Sequence, residues 1–339
     1  MSQSSHASTA STLHEVARIA GVSPSTVSRI LNGTARVSDD KRKAVEAAIA
    51  NLSYKPNLLA QGLKKGRAMT IGILTQDLAS PFFTEALMGV EAALAGSGYA
   101  PLIVSGHWHA DEEAERVELL MARRVDGIVI LSGSLSDKQI GRFAERLPIV
   151  ATGRRIDTGQ ARGIALDQLE GARLATDYLL ELGHRQIAFI AGLPEHDDAR
   201  ARLAGYRAAL EAAGIAFNPA LVVQGNFQES GGLLAVNELL ETRQRFTAIF
   251  CANDQTAYGA RLALYRRGIR VPDDISIIGF DDLPNSNYTT PPLTTVRQPV
   301  YEMGKQAART VLQLLNGETP TLTQLPLELI MRESARRIL

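Results

Sequence analysis

From Met69 to the end of the chain, apolar segments of strand length alternate with amphipathic helical segments. This alternation is the signature of βαβ units, in which helices cover a mostly parallel sheet. It occurs as two successive series of similar length, so we predict two doubly wound α/β subdomains. We place strands at 69–75, 100–105, 126–132, 147–152, 162–166, 186–191, 220–224, 246–251 and 274–279. Because open sheets of this type bind small molecules at the carboxyl ends of their strands, we expect a ligand in the cleft between the subdomains.

A different pattern precedes Met69, with short helices marked by caps and turns. Thr12 followed by Glu15 three residues later has the form of a capping box, and Gly21 ends the first helix. Ser23 and Pro24 are suited to begin a second helix, and a third opens at Ser38. Two short helices joined by a three-residue turn predict a helix-turn-helix, although short helical hairpins also occur without any DNA role.

The charge distribution favours DNA for this head. Residues 1–68 contain ten Lys or Arg against four Asp or Glu, whereas the whole chain has 36 of each. A basic module on a more acidic body is typical of a polyanion-binding head. On the second helix Ser25 and Arg29 share a face, and Arg suits a guanine edge. Thr26, Ser28 and the free N–H groups at the helix start suit phosphates.

Several other classes of protein are disfavoured. The single cysteine, Cys251, rules out an intrachain disulfide framework, and no apolar run is long enough to span a membrane. The first ten residues lack the apolar core of a secretory signal, so we expect a cytoplasmic protein rather than a periplasmic solute-binding protein. The nucleotide-binding and nucleophile motifs of common enzymes are missing, and His107 with His109 is too small a set for metal. We therefore expect no enzyme activity, no metal and no cofactor.

The residues from Thr12 to Gly33, TLHEVARIAGVSPSTVSRILNG, strongly resemble the N-terminus of lactose-repressor (LacI/GalR) family transcription regulators. The segment 54–63, YKPNLLAQGL, resembles the hinge that these regulators fold into a helix on DNA. The resemblance implies that Leu63 is an apolar wedge in the minor groove, supported by Leu59 and Ala60. The DNA-binding residues predicted from pattern and resemblance together are Ser23, Pro24, Ser25, Thr26, Ser28, Arg29, Asn32, Leu59, Ala60, Leu63 and Lys64.

By composition alone, residues 55–68 could equally form a flexible linker with no DNA role, because they include Pro56, Gly62 and Gly66. Gly62 should weaken an isolated hinge helix by up to about 1 kcal/mol relative to Ala. This weakness suits a helix that forms only when it is docked on DNA.

The resemblance extends through the body, in stretches such as 251–255 and 273–282, to the periplasmic-binding-protein-like core of the same regulators. It implies an effector pocket lined by Phe82, Phe83, Trp108, Arg202, Phe227, Asn253 and Asp281. Aromatic faces would stack on a sugar or base, and the polar groups would bind hydroxyls or amides. Taken singly, Phe82 and Phe83 also fit core positions, and Arg202 also fits an ordinary salt bridge.

One position departs from the family pattern. Some sugar-binding members carry an Asp where this chain has Gly153. The adjacent Arg154 would then take over the polar contact or favour an anionic ligand, so we include Arg154 among the ligand-binding residues.

The combined expectation for the fold is a small all-α helix-turn-helix head plus an α/β periplasmic-binding-protein-like core of two doubly wound subdomains. We expect a disordered tail at 1–10, the helix-turn-helix domain at 11–57 and the hinge helix or linker at 58–68. The core N-subdomain is expected at 69–166 and 296–339, including the last helix and the terminal strands, and the core C-subdomain at 167–295.

The expected function is that of a homodimeric repressor that binds operator DNA under the control of a small-molecule effector. A sugar is our first expectation for that effector, and a purine-like or phosphorylated metabolite is the second. No apolar heptad segment follows residues 331–334, so we expect a dimer rather than a tetramer built by a coiled coil. A solute-binding protein or an enzyme on the same core, without a DNA role, is the alternative.

Overall fold

The computed structural model describes residues 12–31, 37–52, 54 and 66–338. The chain forms two compact units, one up to residue 69 and one from Thr70 onward. The predicted tail at 1–10, most of the predicted hinge, and the residues Asn32, Leu59, Ala60, Leu63 and Lys64 lie outside the described residues.

The described residues of the first unit form three helices: α1 (Leu13–Ile19), α2 (Pro24–Leu31) and α3 (Asp39–Leu52). The predicted capping box is present, because Thr12 and Glu15 exchange hydrogen bonds between side chain and backbone. Gly21 has a φ of +66°, which a glycine adopts without strain, and the turn there leads into α2. A small core, built around Val16, Val27 and Val45, holds the helices together. These contacts confirm the predicted helix-turn-helix.

Residues 70–338 of the second unit form two six-stranded sheets. The strands are β1 (Thr70–Thr75), β2 (Ala100–Ser105), β3 (Gly127–Ile130), β4 (Ile149–Thr152), β5 (Asp157–Thr158), β6 (Ala161–Ile164), β7 (Ile187–Ala191), β8 (Val222–Gln224), β9 (Ala248–Cys251), β10 (Ser276–Asp281), β11 (Thr294–Arg297) and β12 (Glu328–Ile330). The helices are α4 (Pro81–Leu94), α5 (Ala110–Ala122), α6 (Asp137–Ala144), α7 (Gln168–Glu181), α8 (Asp197–Ala212), α9 (Glu229–Glu241), α10 (Asp254–Arg266) and α11 (Val300–Leu315).

The strand order is β2-β1-β3-β4-β6-β5 in the first sheet and β12-β11-β10-β9-β7-β8 in the second. All neighbours are parallel except the short edge strands β5 and β12. Each sheet has an apolar cluster on both faces, because helices cover both sides and the central strands are mostly apolar. This architecture confirms the predicted doubly wound subdomains.

The C-terminal part of the chain differs from the prediction. Helix α11 does return to the first subdomain, where it packs on α4 so closely that a Cβ on Gly89 would lie 2.0 Å from the Tyr301 carbonyl oxygen. The terminal strand does not return with it. Strand β12 pairs antiparallel with β11 in the second sheet, so the assignment of all of 296–339 to the first subdomain is wrong.

Two contacts explain this placement of the terminal segment. Leu327 and Leu329 pack on the apolar core of the second sheet, and Leu327 also lies against α7 at Gly171. The Ser334 hydroxyl donates to the Ile277 carbonyl and accepts from the Thr294 amide, which fastens the segment across β10 and β11. The chain of the second unit therefore crosses between subdomains after β6, after β11 and after α11.

No helix among the described residues is both long enough and apolar enough to cross a membrane.

Candidate functional site

A cavity of about 340 Å³ lies between the two subdomains, at the carboxyl ends of β1, β9 and β10. Seven of the eight predicted ligand-binding residues line it: Phe82, Phe83, Trp108, Arg202, Phe227, Asn253 and Asp281. Its volume falls in the range of pockets that hold small molecules. The cavity thus occupies the position that the fold class predicts for a ligand.

Aromatic rings form the first wall of this cavity. The rings of Phe82 and Phe83 meet edge to face with 5.3 Å between centroids, and Phe83 lies 6.0 Å from Trp108. Phe83 is also buried in the core of the first sheet, so the core and pocket interpretations both hold for it. The Trp108 amide donates to the side-chain oxygen of Gln76 at 2.8 Å, which fixes a tryptophan whose φ is +62°.

His196 stands in the middle of the cleft, although sequence reasoning missed it. Its ring stacks on Trp108 with 4.1 Å between centroids and lies 5.7 Å from the ring of Phe227. Burial lowers the pKa of the imidazole, which favours its neutral form. The segment around His196 is polar and has no periodicity, so no local signal marks this residue as part of a site.

Two residues that line the cavity, Arg202 and Asp281, belong to a ring of four buried polar side chains. We call this set the polar ring: Arg202, Gln168, Gln298 and Asp281. The Arg202 Nε donates to the Gln168 Oε1 at 2.9 Å, and the Gln168 Nε2 donates to the Gln298 Oε1 at 2.7 Å. The Gln298 Nε2 donates to the Asp281 Oδ1 at 2.6 Å, and that oxygen lies 3.8 Å from an Arg202 nitrogen. Each side chain therefore holds the next in place.

The two glutamines of the polar ring lie where the chain crosses between subdomains. Gln168 begins α7 directly after the first crossing, and Gln298 lies between β11 and α11 on the second. The polar ring thus connects two cavity-lining residues to two of the three connections between the subdomains. Neither glutamine was predicted.

Arg202 and Asp281 form a salt bridge and also face the cavity, so the two interpretations of Arg202 are compatible. Arg202 also donates to the Ala252 carbonyl and lies 4.0 Å above the ring of Phe280. Burial is the main influence on Asp281 and raises the pKa of its carboxyl to about 6, against the opposing charge of Arg202. Asp281 has a φ of +113°, which is a strained conformation for a residue with a Cβ.

Asn253 is held by both ends of its amide. Its Oδ1 accepts from the Thr256 amide at 3.0 Å, which caps α10, and its Nδ2 donates to the Phe227 carbonyl at 2.9 Å. The second bond fixes the backbone of Phe227, whose φ is +64°. Asn253 therefore positions an aromatic wall residue in addition to facing the cavity itself.

Asp198 is a further acidic residue that sequence reasoning missed. It lines the cavity on the first turn of α8, and burial raises the pKa of its carboxyl. The described residues provide it with no hydrogen-bond donor, so its oxygens are available to a ligand.

The structure places Arg154 outside this cavity, on a neighbouring cavity of about 400 Å³. Its guanidinium donates to the carbonyls of Gly133 and Leu135 and pairs with Asp137 at 3.2 Å. Because those donors hold the loop after β3, they do not reach the cavity between Trp108 and Arg202. The expectation that Arg154 replaces the family's polar contact there is not supported by this geometry.

In the first unit, α2 presents the predicted polar face. Ser23, Ser25 and Arg29 are exposed, whereas Val27 is buried against the other helices. The Ser23 hydroxyl accepts from the Thr26 amide at 3.2 Å and so caps the helix that Pro24 begins. Thr26 and Ser28 are half-buried beside this face. The contacts of these residues with DNA stay predictions, as do those of Asn32, Leu59, Ala60, Leu63 and Lys64.

Comparison with known proteins connects both units to one family. Residues 12–57 match the model of bacterial regulatory proteins of the lacI family, and residues 176–335 match that of a periplasmic binding protein-like domain. The ribose operon repressor of Haemophilus influenzae is 37% identical over 325 residues, which cover 95% of this chain and 98% of that protein.

Two solved structures are similar over nearly the whole chain. The lac repressor dimer bound to operator and the anti-inducer ONPF has a TM-score of 0.86 at 32% identity, with 97% of this chain and all of that chain covered. The transcriptional regulator CelR in complex with cellobiose has a TM-score of 0.71 at 34% identity, with 96% of this chain and all of that chain covered. The capped helix-turn-helix, the two-sheet core and this extent of identity agree, and the chain belongs to the lacI family of bacterial DNA-binding transcription regulators.

Proposed function

We propose that the protein is a homodimeric, cytoplasmic repressor of transcription whose affinity for operator DNA is controlled by a neutral carbohydrate bound in the cleft. The observation that carries this proposal is the composition of the 340 Å³ cavity, in which aromatic rings face the polar ring. A sugar ring has an apolar face that stacks on aromatic side chains and hydroxyl groups that hydrogen bond at its edge. The cavity offers both kinds of contact at once.

The charges of the cavity favour a neutral effector over a phosphorylated one. Among the described residues that line it, Asp77, Asp198 and Asp281 are acidic, whereas Arg202 is the arginine. Two of the three guanidinium nitrogens of Arg202 already donate, one to Gln168 and one to Ala252. A phosphate group would meet more carboxylates than cations there, and bringing like charges together in a buried site is unfavourable.

The relatives support the same assignment. The similar proteins include a repressor of a ribose operon, a regulator in complex with cellobiose and a lac repressor dimer on operator DNA. In this chain two heads would read the two halves of a near-palindromic operator, with Arg29 at a base edge and Leu63 in the minor groove. The relatives named here are regulators rather than enzymes, and we assign the cavity a binding role without catalysis.

A thermal-shift screen tests the effector class. Purified full-length protein is heated with ribose, galactose, cellobiose, their phosphate esters and hypoxanthine. A neutral sugar at 100 times its dissociation constant should raise the free energy of unfolding by about 2.7 kcal/mol. Trp108→Ala should lose this stabilisation, whereas Tyr265→Ala, at an exposed position outside the cavity, should keep it. Stabilisation by phosphate esters alone would contradict the proposal.

The DNA-binding part is tested with a random-sequence duplex library. The protein should enrich a near-palindromic sequence, and the sugar found by thermal shift should change its affinity for that sequence. Sedimentation should give a mass of about twice 36.6 kDa. A monomer that binds all duplexes alike would contradict the assignment of a dimeric, sequence-specific repressor.

A further inference from the structure

The rings of Trp108, His196 and Phe227 form a continuous stack across the cleft. Trp108 belongs to the first subdomain, and His196 and Phe227 belong to the second. The imidazole plane is inclined by 24° to the indole and by 15° to the phenyl ring, so all three rings are close to parallel. The middle ring of the stack is therefore the imidazole of His196.

Ring contacts alone hold the His196 side chain. Among the described residues, neither of its ring nitrogens has a hydrogen-bond partner. His196 stands at the N-cap of α8, but its side chain does not cap the helix, and its backbone amide is bonded to the Leu193 carbonyl at 3.1 Å. The imidazole can therefore rotate out of the stack without breaking a hydrogen bond and without moving α8.

We propose that His196 is an internal surrogate for the effector: its imidazole fills the stacking position on Trp108 that the effector ring takes, and the effector must displace it. The position lies next to the polar ring, so a ligand ring placed there has its flat face on Trp108 and its edge toward Arg202 and Asp281. His196 thereby sets the affinity of the site and selects for ligands with one flat apolar face. The part that concerns the effector rests on the proposed function.

An effector that displaces His196 must break the stacking contact between the imidazole and Trp108, so effector binding is weakened by the free energy of that contact. Aromatic pairs contribute modestly beyond their buried area, which corresponds to a factor of about two to ten in a dissociation constant. Removal of the imidazole should therefore tighten effector binding by about that factor. A histidine that directly contacts the effector would give the opposite sign when it is removed.

Trp108 is the single tryptophan of the chain, so its fluorescence reports on the stack without any knowledge of the effector. We would compare wild type with His196→Ala and with the matched control Glu195→Ala, an exposed neighbour outside the stack. In His196→Ala the emission should shift to longer wavelength, and free imidazole should reverse the shift with a saturable dependence. Wild type and Glu195→Ala should show only weak, linear quenching by imidazole.

The same imidazole dependence in all three proteins would overturn the proposal. His196→Gln serves as a second variant if His196→Ala melts at a much lower temperature. Because the glutamine side chain partly fills the position on Trp108, we expect imidazole to reverse the fluorescence shift of this variant weakly or not at all. Cellobiose and ribose are then titrated into wild type and His196→Ala. Tighter binding of either sugar by the variant supports the surrogate, and weaker binding overturns it.

The two experiments separate the surrogate from the proposed function. Saturable imidazole binding with no binding of either sugar would support the surrogate position while removing support for those sugars as effectors. Sugar binding without saturable imidazole binding would do the reverse.

Discussion

The side-chain amide of Gln298 donates a 2.6 Å hydrogen bond to the carboxylate of Asp281, and it thereby joins a segment that crosses between the subdomains to the floor of the cleft. Both side chains are at least 95% buried. A ligand that binds Asp281, as we propose, would share its carboxylate with Gln298. Under that proposal the bond would link ligand binding to a segment that crosses between the subdomains.

Gln298→Ala should weaken the response of DNA binding to the effector more than it weakens DNA binding itself. The variant leaves Asp281 and Gln168 each without one buried hydrogen-bond partner, which costs about 1 to 3 kcal/mol for each group. We expect effector affinity to fall by about tenfold or more. Anisotropy of labelled operator DNA, with and without effector, measures both effects. Gln160→Ala, at an exposed position, is the control and should behave as wild type.

Effector affinity should fall as the pH drops below about 6. Burial raises the pKa of Asp281 to about 6, so the carboxyl takes up a proton in that range, loses its charge attraction to Arg202 and is no longer an acceptor at both oxygens. The dissociation constant should rise by up to about tenfold per pH unit below the pKa. Calorimetric titrations from pH 5 to pH 8 measure this. Asp281→Asn should bind more weakly at pH 8 with no such dependence, and a dependence that persists would assign the titration to another group.

Asp254→Asn should lose stability in a pH-dependent way. The Asp254 carboxylate accepts from the Leu283 amide and from the hydroxyls of Ser286 and Thr295, and its burial is the main cause that raises its pKa to about 7. The substitution removes acceptors from buried donors, at about 1 to 3 kcal/mol for each donor left unpaired.

The sign of the pH dependence follows from linkage. The unfolded carboxyl loses its proton near pH 4, while the folded one keeps it until about pH 7. Wild type therefore loses stability as the pH rises through this range, and the variant does not. In urea unfolding experiments, the difference in free energy of unfolding between wild type and Asp254→Asn should narrow from pH 5 to pH 8. A constant difference would show that Asp254 is ionised throughout.

Arg29→Ala should relax discrimination at one base pair. The side chain is exposed on α2, and an arginine that reads a guanine contributes about 1 to 3 kcal/mol. Lys64→Ala should instead weaken binding to all duplexes similarly and reduce the salt dependence of the affinity. Competition between the selected operator and random DNA measures both. Equal losses of Arg29→Ala on the two duplexes would contradict a base-reading role.

Local patterns were sufficient to predict the parts of the fold that local contacts determine. Thr12 with Glu15, and Ser23 with Pro24, are cap signals that act within one turn of a helix, and the helices begin where these signals lie. The strands of the body could likewise be predicted from apolar runs in the sequence, because strands buried on both faces carry few polar residues.

Features that depend on distant parts of the chain could not be read in this way. Gln168 and Gln298 are 130 residues apart, and each is a lone polar residue until the fold brings them together. Strand β12 is too short to indicate which sheet it joins. The resemblance to a family supplied Arg202, Asn253 and Asp281, but it did not reveal His196, nor that the loop after β3 engages Arg154.

The return of α11 to the first subdomain has a consequence for synthesis. The strands of the first sheet, at residues 70–164, are translated long before α11. Helix α11 covers Ala86, Gly89 and Val90, and it is complete only after the ribosome has passed residue 315. By then the strands β7 to β11 of the second sheet have already been translated. Strands β7 to β11 can therefore pair before the first subdomain is complete, and the two subdomains are finished in turn at the end of translation, the first by α11 and then the second by β12.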